Sequence, residues 1–130
     1  MRAAVLREFR APLSVEDVPD PACPQDGVVL RVLACGVCRS DHHVWTGEHR
    51  LVGPGRVLGH EFCGEVVEAG PRAGWAPGER VVAPFILACG ECPACRAGES
   101  TTCPDQVIPG FSADGAFAEY IVIPNANVWH

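Results

Sequence analysis

The sequence predicts a mainly β domain, and three of its features support that fold class. The 130 residues include 14 glycines and 12 prolines, which divide the chain into short segments. Several of these segments are apolar runs of strand length, bounded by turn-forming residues. No segment of ten or more residues has the spacing of an amphipathic helix.

Length and composition limit the chain to one domain and exclude several functions. Hydrophobic residues make up 48% and charged residues 20%, values typical of a soluble globular protein rather than a disordered one. The net charge of −6 disfavours a nucleic-acid partner, because a phosphate backbone repels an acidic surface. No apolar run approaches the roughly 18 residues of a membrane span, and the N-terminus does not resemble a signal peptide. We therefore expect a cytoplasmic protein with no membrane partner.

Six strands are expected where apolar segments lie between turns. The clearest is an almost continuous apolar run over residues 28–34, interrupted only by Arg31. The first two strands flank the turn at Pro12, and the last ends before Pro124. The expected strands are residues 3–6, 13–18, 28–34, 62–69, 80–84 and 116–123.

The segments between these strands are expected to be less regular. A short helical turn is expected over residues 40–46, with Ser40 as a candidate N-cap. Residues 47–59 are expected to form a loop rich in glycine, histidine and arginine. Residues 89–103 contain four cysteines and too few apolar residues to build a core, so this lobe needs another source of order.

The lobe contains the stronger of two metal-binding patterns. Its cysteines have the spacing C-x2-C-x2-C-x7-C, which allows four thiolates to close a tetrahedral shell around a structural zinc ion. The alternative is a loose loop of free or disulfide-bonded cysteines, which is uncommon in a reducing compartment. A nucleic-acid-binding zinc ribbon is disfavoured, because Arg96 is the lobe's one basic residue. The four ligands are Cys89, Cys92, Cys95 and Cys103.

The second pattern combines the segment Cys38–His43 with Gly59-His60-Glu61. A thiolate after a long strand and an imidazole about twenty residues later can reach one metal ion from two sides of a cleft. Catalytic zinc sites use three protein ligands and leave one position open. Spacing alone, however, favours packing and surface roles for isolated cysteines and histidines.

Together these motifs resemble the catalytic domain of zinc-dependent medium-chain alcohol dehydrogenases. Residues 59–64 are similar to the zinc signature of that family, residues 36–41 to its first-ligand motif, and residues 77–81 to its turn into a strand. The cysteine spacing of the lobe also agrees. The resemblance covers the whole chain and implies a GroES-like β-barrel over residues 1–130, with the zinc lobe at 89–103.

The resemblance implies roles for residues around a catalytic zinc ion. Cys38 and His60 would be ligands, and Glu61 would lie beside them as an alternative ligand. Asp41 would accept a hydrogen bond from the imidazole of His60 and so fix its orientation. Ser40 would bind the alcohol oxygen and begin a proton relay.

The resemblance also implies roles for residues farther from the zinc ion. His43 would end the relay on the solvent side, and Arg39 would contact the pyrophosphate of the cofactor. His42 and His49 are expected to be solvated surface residues. Trp45 and Phe85 are expected either to line an apolar substrate pocket or to pack in the core.

Two requirements of the family are not met within these 130 residues. They contain neither the family's third zinc ligand nor the Gly-x-Gly-x-x-Gly turn of a Rossmann domain. We therefore expect the N-terminal catalytic portion of a longer, homo-oligomeric enzyme that uses NAD or NADP. We expect the isolated portion to be inactive.

The expected reaction is the oxidation of a primary or secondary alcohol to an aldehyde or ketone, with hydride transfer to the nicotinamide. One alternative is a polyol or amino-alcohol dehydrogenase of the same family, although Arg39 favours simple alcohols because those relatives usually have glycine there. The other alternative is a non-catalytic zinc-binding GroES-like module that acts through protein contacts.

Overall fold

The computed structural model describes residues 1–49, 52–124 and 127–130, and the mainly β prediction is confirmed. Within these residues there are seven strands, two short α-helices and one 3₁₀ turn. The strands are β1 (Arg2–Leu6), β2 (Ser14–Asp17), β3 (Gly27–Gly36), β4 (Arg56–Val57), β5 (Glu61–Ala69), β6 (Arg80–Val82) and β7 (Tyr120–Pro124). The helices are α1 (Arg39–Trp45) and α2 (Pro93–Arg96), and the 3₁₀ turn is Ser100–Thr102.

The strands form two antiparallel sheets. The smaller sheet has the order β2-β1-β4, and the larger has the order β6-β5-β3-β7. Strands β3 and β5 are the longest and pair from Val28↔Ala69 to Gly36↔Glu61, with two register irregularities. This pairing matters for function, because it brings the end of β3 beside the start of β5.

The core explains why β3 reads as an almost continuous apolar run. The first four residues of this strand are buried on both faces, as expected for a central strand with β5 and β7 as neighbours. Arg31 then turns outward and its guanidinium lies 3.0 Å from the carboxylate of Glu65 on β5. The largest buried cluster comprises Val28, Leu30, Phe62, Val66, Ala73, Val81, Leu87, Ala116, Ile121, Ile123 and Val128.

Three strand predictions differ from the structure by two or more residues at one end. Strand β3 continues to Gly36 instead of ending at residue 34. The segment 116–119 is not part of β7, because its backbone pairs with other segments: Ala116 and Phe117 donate to the carbonyls of Gly59 and Leu58. Strand β6 ends at Val82, two residues before Pro84.

The structure also differs from the expected irregular segments. Strand β4 lies within the expected loop 47–59, since Val57 pairs with Val5 of β1. Residues 50 and 51 of that loop lie outside the described residues. In the part of the chain that the structure describes, no helix is long and apolar enough to cross a membrane.

Replacing Leu30 with alanine tests whether the central strand carries the stability of the fold. Leu30 is fully buried, so we expect Leu30→Ala to lower the free energy of unfolding by about 2–5 kcal/mol in urea denaturation. Leu33→Ala on the same strand is the matched control: its side chain is 41% exposed, and we expect a loss under about 1 kcal/mol. Equal losses in the two variants would contradict this assignment of the core.

Candidate metal centres and cleft

The structure brings the potential metal ligands together in two clusters. One comprises Cys38, His60 and Glu61, and the other comprises the four cysteines of the lobe. Within each cluster, one ligand atom from every residue lies within 4.8 Å of the others. The ligands of the first cluster come from three elements: the turn after β3, the turn before β5, and β5 itself.

Helix α1 positions Cys38 and corrects the expected N-cap. The helix begins at Arg39, and Cys38 is its N-cap, with extended backbone angles. The carboxylate of Asp41 accepts a hydrogen bond from the backbone N–H of Cys38 at 2.9 Å. Ser40 is therefore not the N-cap, because it lies inside the first turn of the helix. The N-cap is Cys38, and its backbone N–H is bonded to the carboxylate of Asp41. The Ser40 hydroxyl is left free to contact other groups.

Gly59 positions His60 beside the same helix. Its φ of +94° is a conformation that side chains disfavour, and a Cβ atom would lie 2.6 Å from the ring of Phe117. The backbone N–H of Gly59 donates to Asp41 Oδ1 at 3.1 Å. The carboxylate of Asp41 thus ties the segment of His60 to the segment of Cys38.

The imidazole of His60 is buried and lies between two polar side chains. It is only 5% exposed. Its Nε2 lies 3.1 Å from the hydroxyl of Ser40. Its Nδ1 lies 3.4 Å from Asp41 Oδ1, although this contact does not reach hydrogen-bond geometry. Asp41 is 4% exposed, so the histidine and the carboxylate form a buried polar pair.

A cleft of about 350 Å³ opens onto this cluster. Its walls are aromatic: the rings of Phe111 and Phe85 stand edge-on to His60, with centroids 5.4 Å and 6.4 Å away. The lining residues are Cys38, Ser40, His49, His60, Glu61, Phe85, Ile108 and Phe111. The cleft therefore combines a polar floor of potential metal ligands with a largely apolar wall.

The residues that line this cleft test what was expected of Trp45, Phe85 and His49. Phe85 lines it, whereas Trp45 packs beside Leu58 and donates from its indole N–H to the carbonyl of Ala11. The expectation that His49 is a solvated surface residue was wrong, because its ring lines the cleft and contacts Phe111.

The residues expected at the outer end of the site are exposed. His43 Nδ1 lies 2.6 Å from Glu48 Oε2, and this contact lowers the pKa of Glu48. Arg39 is exposed at the start of α1 and has no ion pair among the described residues. Its guanidinium is therefore available to a ligand.

The four cysteines of the lobe lie close enough together to bind one ion. Four sulfurs about 2.3 Å from one zinc ion lie roughly 3.8 Å apart. The Sγ separations are 3.4 Å for Cys92–Cys95, 3.6 Å for Cys89–Cys103 and 3.9 Å for Cys89–Cys95. The sulfurs of Cys89 and Cys92 also accept backbone N–H groups from Cys92 and Cys95.

The lobe's thiols differ in acidity. Backbone N–H groups of Glu91 and Cys92 lower the pKa of Cys89 to about 7, because they stabilise the thiolate. Burial raises the pKa of Cys95 to about 12. The lobe has helix α2 and the 3₁₀ turn but contributes little to the apolar core, and its innermost side chain is the fully buried Cys103.

Sequence reasoning missed His49, Ile108 and Phe111 as cleft residues. They come from the loop after α1 and from the segment after the lobe, and neither segment has a motif. Their position depends on backbone contacts such as the hydrogen bond from His49 N–H to the carbonyl of His43 at 3.1 Å. A spacing pattern gives no sign of such a contact.

Comparison with known proteins agrees with this fold. The family model "Alcohol dehydrogenase GroES-like domain" matches residues 24–130. The chain is 37% identical to L-threonine 3-dehydrogenase of Xanthomonas euvesicatoria pv. vesicatoria and 41% identical to that of Streptomyces avermitilis, in both cases over 99% of this chain and 39% of the relative.

A solved structure gives the same result. The alcohol dehydrogenase from Thermus sp. ATN1 superposes with a TM-score of 0.91 at 35% identity, over 99% of this chain and 39% of that one. The chain thus spans about two-fifths of the length of the relatives it matches. With the family model matching most of its residues, the chain belongs to the alcohol dehydrogenase GroES-like domain family.

Proposed function

We propose that this chain is the catalytic domain of a zinc-dependent alcohol dehydrogenase that uses NAD or NADP. The observation that carries the proposal is the convergence of Cys38, His60 and Glu61 beside the hydroxyl of Ser40, in a cleft with aromatic walls. The activity belongs to a longer protein, since the relatives are much longer than this chain.

The donor set of the cleft fits zinc. A thiolate, an imidazole and a carboxylate are the groups that bind zinc in proteins, and the partly open cleft leaves room for a substrate oxygen. Bound there, zinc would supply a Lewis acid that makes an alcohol hydroxyl more acidic, while a nicotinamide cofactor would supply the hydride acceptor. Cys38 and His60 would hold the ion, with Glu61 as an alternative ligand.

The chain's own polar groups can bind and deprotonate an alcohol. The hydroxyl of Ser40 lies on the cleft floor, where it can accept the proton of a substrate hydroxyl and pass on its own. Asp41 would hold the imidazole of His60 in one orientation, since it lies beside Nδ1 and is itself fixed by two backbone N–H groups.

The exposed groups would complete the pathway. His43 lies three residues beyond Ser40 on α1, and its pairing with Glu48 places it at the solvent side, where a relayed proton can leave. The guanidinium of Arg39, which has no ion pair among the described residues, would bind the pyrophosphate of the cofactor. Phe85 and Phe111 would exclude water from the substrate.

The four-cysteine lobe would bind a second, structural zinc ion. Four thiolates fill the tetrahedral shell and leave no position for substrate. The lobe lacks an apolar core of its own, so the binding energy of the ion would order it. This ion would be bound by the isolated chain, because all four ligands lie within residues 89–103.

An amino-alcohol is the second candidate substrate. Relatives that align with nearly the whole chain are named L-threonine 3-dehydrogenase, and threonine carries its hydroxyl next to an amino-bearing carbon. Simple alcohols and amino-alcohols would share the zinc chemistry. They differ in the amino group, which the cleft wall would have to recognise.

Removing one lobe cysteine tests the structural zinc ion. We expect Cys89→Ser to lower the zinc content of the purified chain by about one ion and to lower its thermal midpoint by at least about 5 °C, because the lobe loses its source of order. The measurements are metal analysis by mass spectrometry and calorimetry. Cys23→Ser is the matched control, since Cys23 lies outside both clusters. Unchanged zinc content in Cys89→Ser would contradict the lobe assignment.

Cobalt substitution tests the cleft cluster separately. With the lobe filled by zinc, added Co²⁺ should give a thiolate-to-metal absorption band that Cys38→Ala or His60→Ala removes, because each takes away a ligand. Cys63→Ala, on β5 but outside the cluster, should keep the band. In a chain extended C-terminally to the length of its relatives, the same two ligand variants should abolish alcohol oxidation. Activity retained in either one would contradict the proposed function.

Replacing Asp41 with asparagine tests the carboxylate that joins the two ligand segments. An asparagine has one acceptor oxygen where the carboxylate has two, so one of the backbone N–H groups of Cys38 and Gly59 loses its partner. We expect cobalt affinity at the cleft to fall about 10- to 100-fold in Asp41→Asn. Asp26→Asn, at an exposed carboxylate, should leave the affinity unchanged.

A further inference from the structure

Phe85 is a residue of the cleft wall that its own packing does not fix. It is 55% exposed, and it lines both the cleft and a second cavity of about 330 Å³, whose other walls include residues of the lobe. Residues 83–86 make no backbone–backbone hydrogen bond with other parts of the described chain. The position of Phe85 therefore depends on how the two ends of its segment are held.

Residues 127–129 hold both ends of that segment. At one end, Val82 and Trp129 exchange two backbone hydrogen bonds, of 2.8 Å and 3.0 Å. At the other end, the side-chain amide of Asn127 bonds the backbone of Ala88 twice: Nδ2 donates to the carbonyl at 2.9 Å, and Oδ1 accepts the N–H at 2.8 Å. Asn127 is only 4% exposed, so water competes little for these two bonds. The amide therefore acts as a clamp on Ala88.

Ala88 joins the segment of Phe85 to the lobe. Cys89, a potential ligand of the lobe, follows Ala88 directly. At the base of the lobe, Leu87 and Val107 exchange two backbone hydrogen bonds of 2.8 Å. The residue after Val107 is Ile108, which also lines the cleft. Both ends of the lobe thus continue into the cleft wall, so a change of order in the lobe can reach the cleft through a few residues.

We propose that Asn127 is a positioning residue that couples the four-cysteine lobe to the cleft wall. With an ion in the lobe, Ala88 stays in the clamp and Phe85 stays in the wall of the cleft. Without an ion, the lobe loses its source of order, the clamp opens more often, and the ring of Phe85 leaves the wall. This inference rests on the proposed function, because it needs an ion in the lobe. It gives that ion an effect on the cleft as well as on stability.

The chemistry of the clamp explains why an amide is needed and which way the effects run. A side-chain amide both donates and accepts, so it can satisfy the N–H and the carbonyl of Ala88 together. A leucine of similar size in place of Asn127 would leave both groups buried and unpaired, which favours the open clamp. Coupling between two sites is reciprocal. Opening the clamp should therefore weaken zinc binding in the lobe, although Asn127 is not a ligand.

Fluorine NMR at position 85 measures the coupling. The metal-free chain, with 4-fluorophenylalanine at position 85, would be titrated with zinc in a Cys38→Ala background, which weakens the cleft cluster so that the first ion fills the lobe. We expect the fluorine resonance to shift until about one equivalent of zinc is bound, and the nuclear Overhauser effect between this ring and the ring of His60 to grow with it. The same label at Phe9, which lines neither cavity, should not respond.

Variants assign the coupling to Asn127. In Asn127→Leu, we expect the lobe to bind zinc about fivefold to tenfold more weakly, and the fluorine response at saturating zinc to fall by about half or more. Asn127→Gln, which keeps a donor and an acceptor, should recover part of both. Gln25→Leu is the matched control, because it removes an exposed amide far from the lobe in sequence, and it should change neither. A measurement without any change at Asn127 is hydrogen exchange of the Ala88 N–H, which zinc should slow by about tenfold.

The outcomes separate this inference from the proposed function. If zinc fills the lobe while the label at position 85 and the exchange of the Ala88 N–H stay unchanged, the coupling is overturned and the lobe assignment stands. A full fluorine response in Asn127→Leu would overturn the role of Asn127. If the lobe takes up no zinc, both this inference and the structural ion of the proposed function are contradicted.

Discussion

The carboxylate of Asp41 is the group on which the geometry of the cleft depends. It is buried, and it accepts hydrogen bonds from the backbone N–H groups of Cys38 and Gly59. Cys38 carries one potential ligand side chain, and Gly59 directly precedes His60, which carries the other. A buried carboxylate is tolerated only when such donors satisfy it. One side chain therefore fixes two segments about twenty residues apart in sequence. The pairing of Gly36 with Glu61 at the ends of β3 and β5 brings those segments within its reach.

The two clusters obtain their order from different sources. The cleft cluster is built on a central sheet with its own apolar core, so its ligands converge because strands β3 and β5 pair. The lobe contributes little to that core, and its ordered contacts are backbone N–H groups directed at sulfur. Four thiolates at such distances would repel one another, so a cation between them would stabilise the ionised lobe. The lobe would thus obtain its order from a bound ion, whereas the cleft is shaped by the fold.

The parts that the sequence predicts well are those determined by local pattern. Strand β3 is recognisable because a central strand is buried on both faces, and the clustering of the lobe's cysteines because all four lie within fifteen residues. Strand β4 is not recognisable in the sequence, because its two residues form a strand only by pairing with β1. Residues 116–119 read as part of a strand but bridge the two sheets instead. His49 and Phe111 were missed for the same reason: a loop places them, and no spacing rule describes that loop.

The contact between Ser40 and His60 links the fold to the proposed chemistry. Nε2 of His60 lies 3.1 Å from the hydroxyl of Ser40, and in the tautomer with its proton on Nδ1 it would accept that hydroxyl with its single lone pair. That lone pair serves one partner at a time, and metal binding by His60 would take it from the hydroxyl. Ser40 would then need another acceptor, and the cleft it faces is where a substrate oxygen would lie. Metal binding would thus make a hydroxyl that is already held in place available to a substrate.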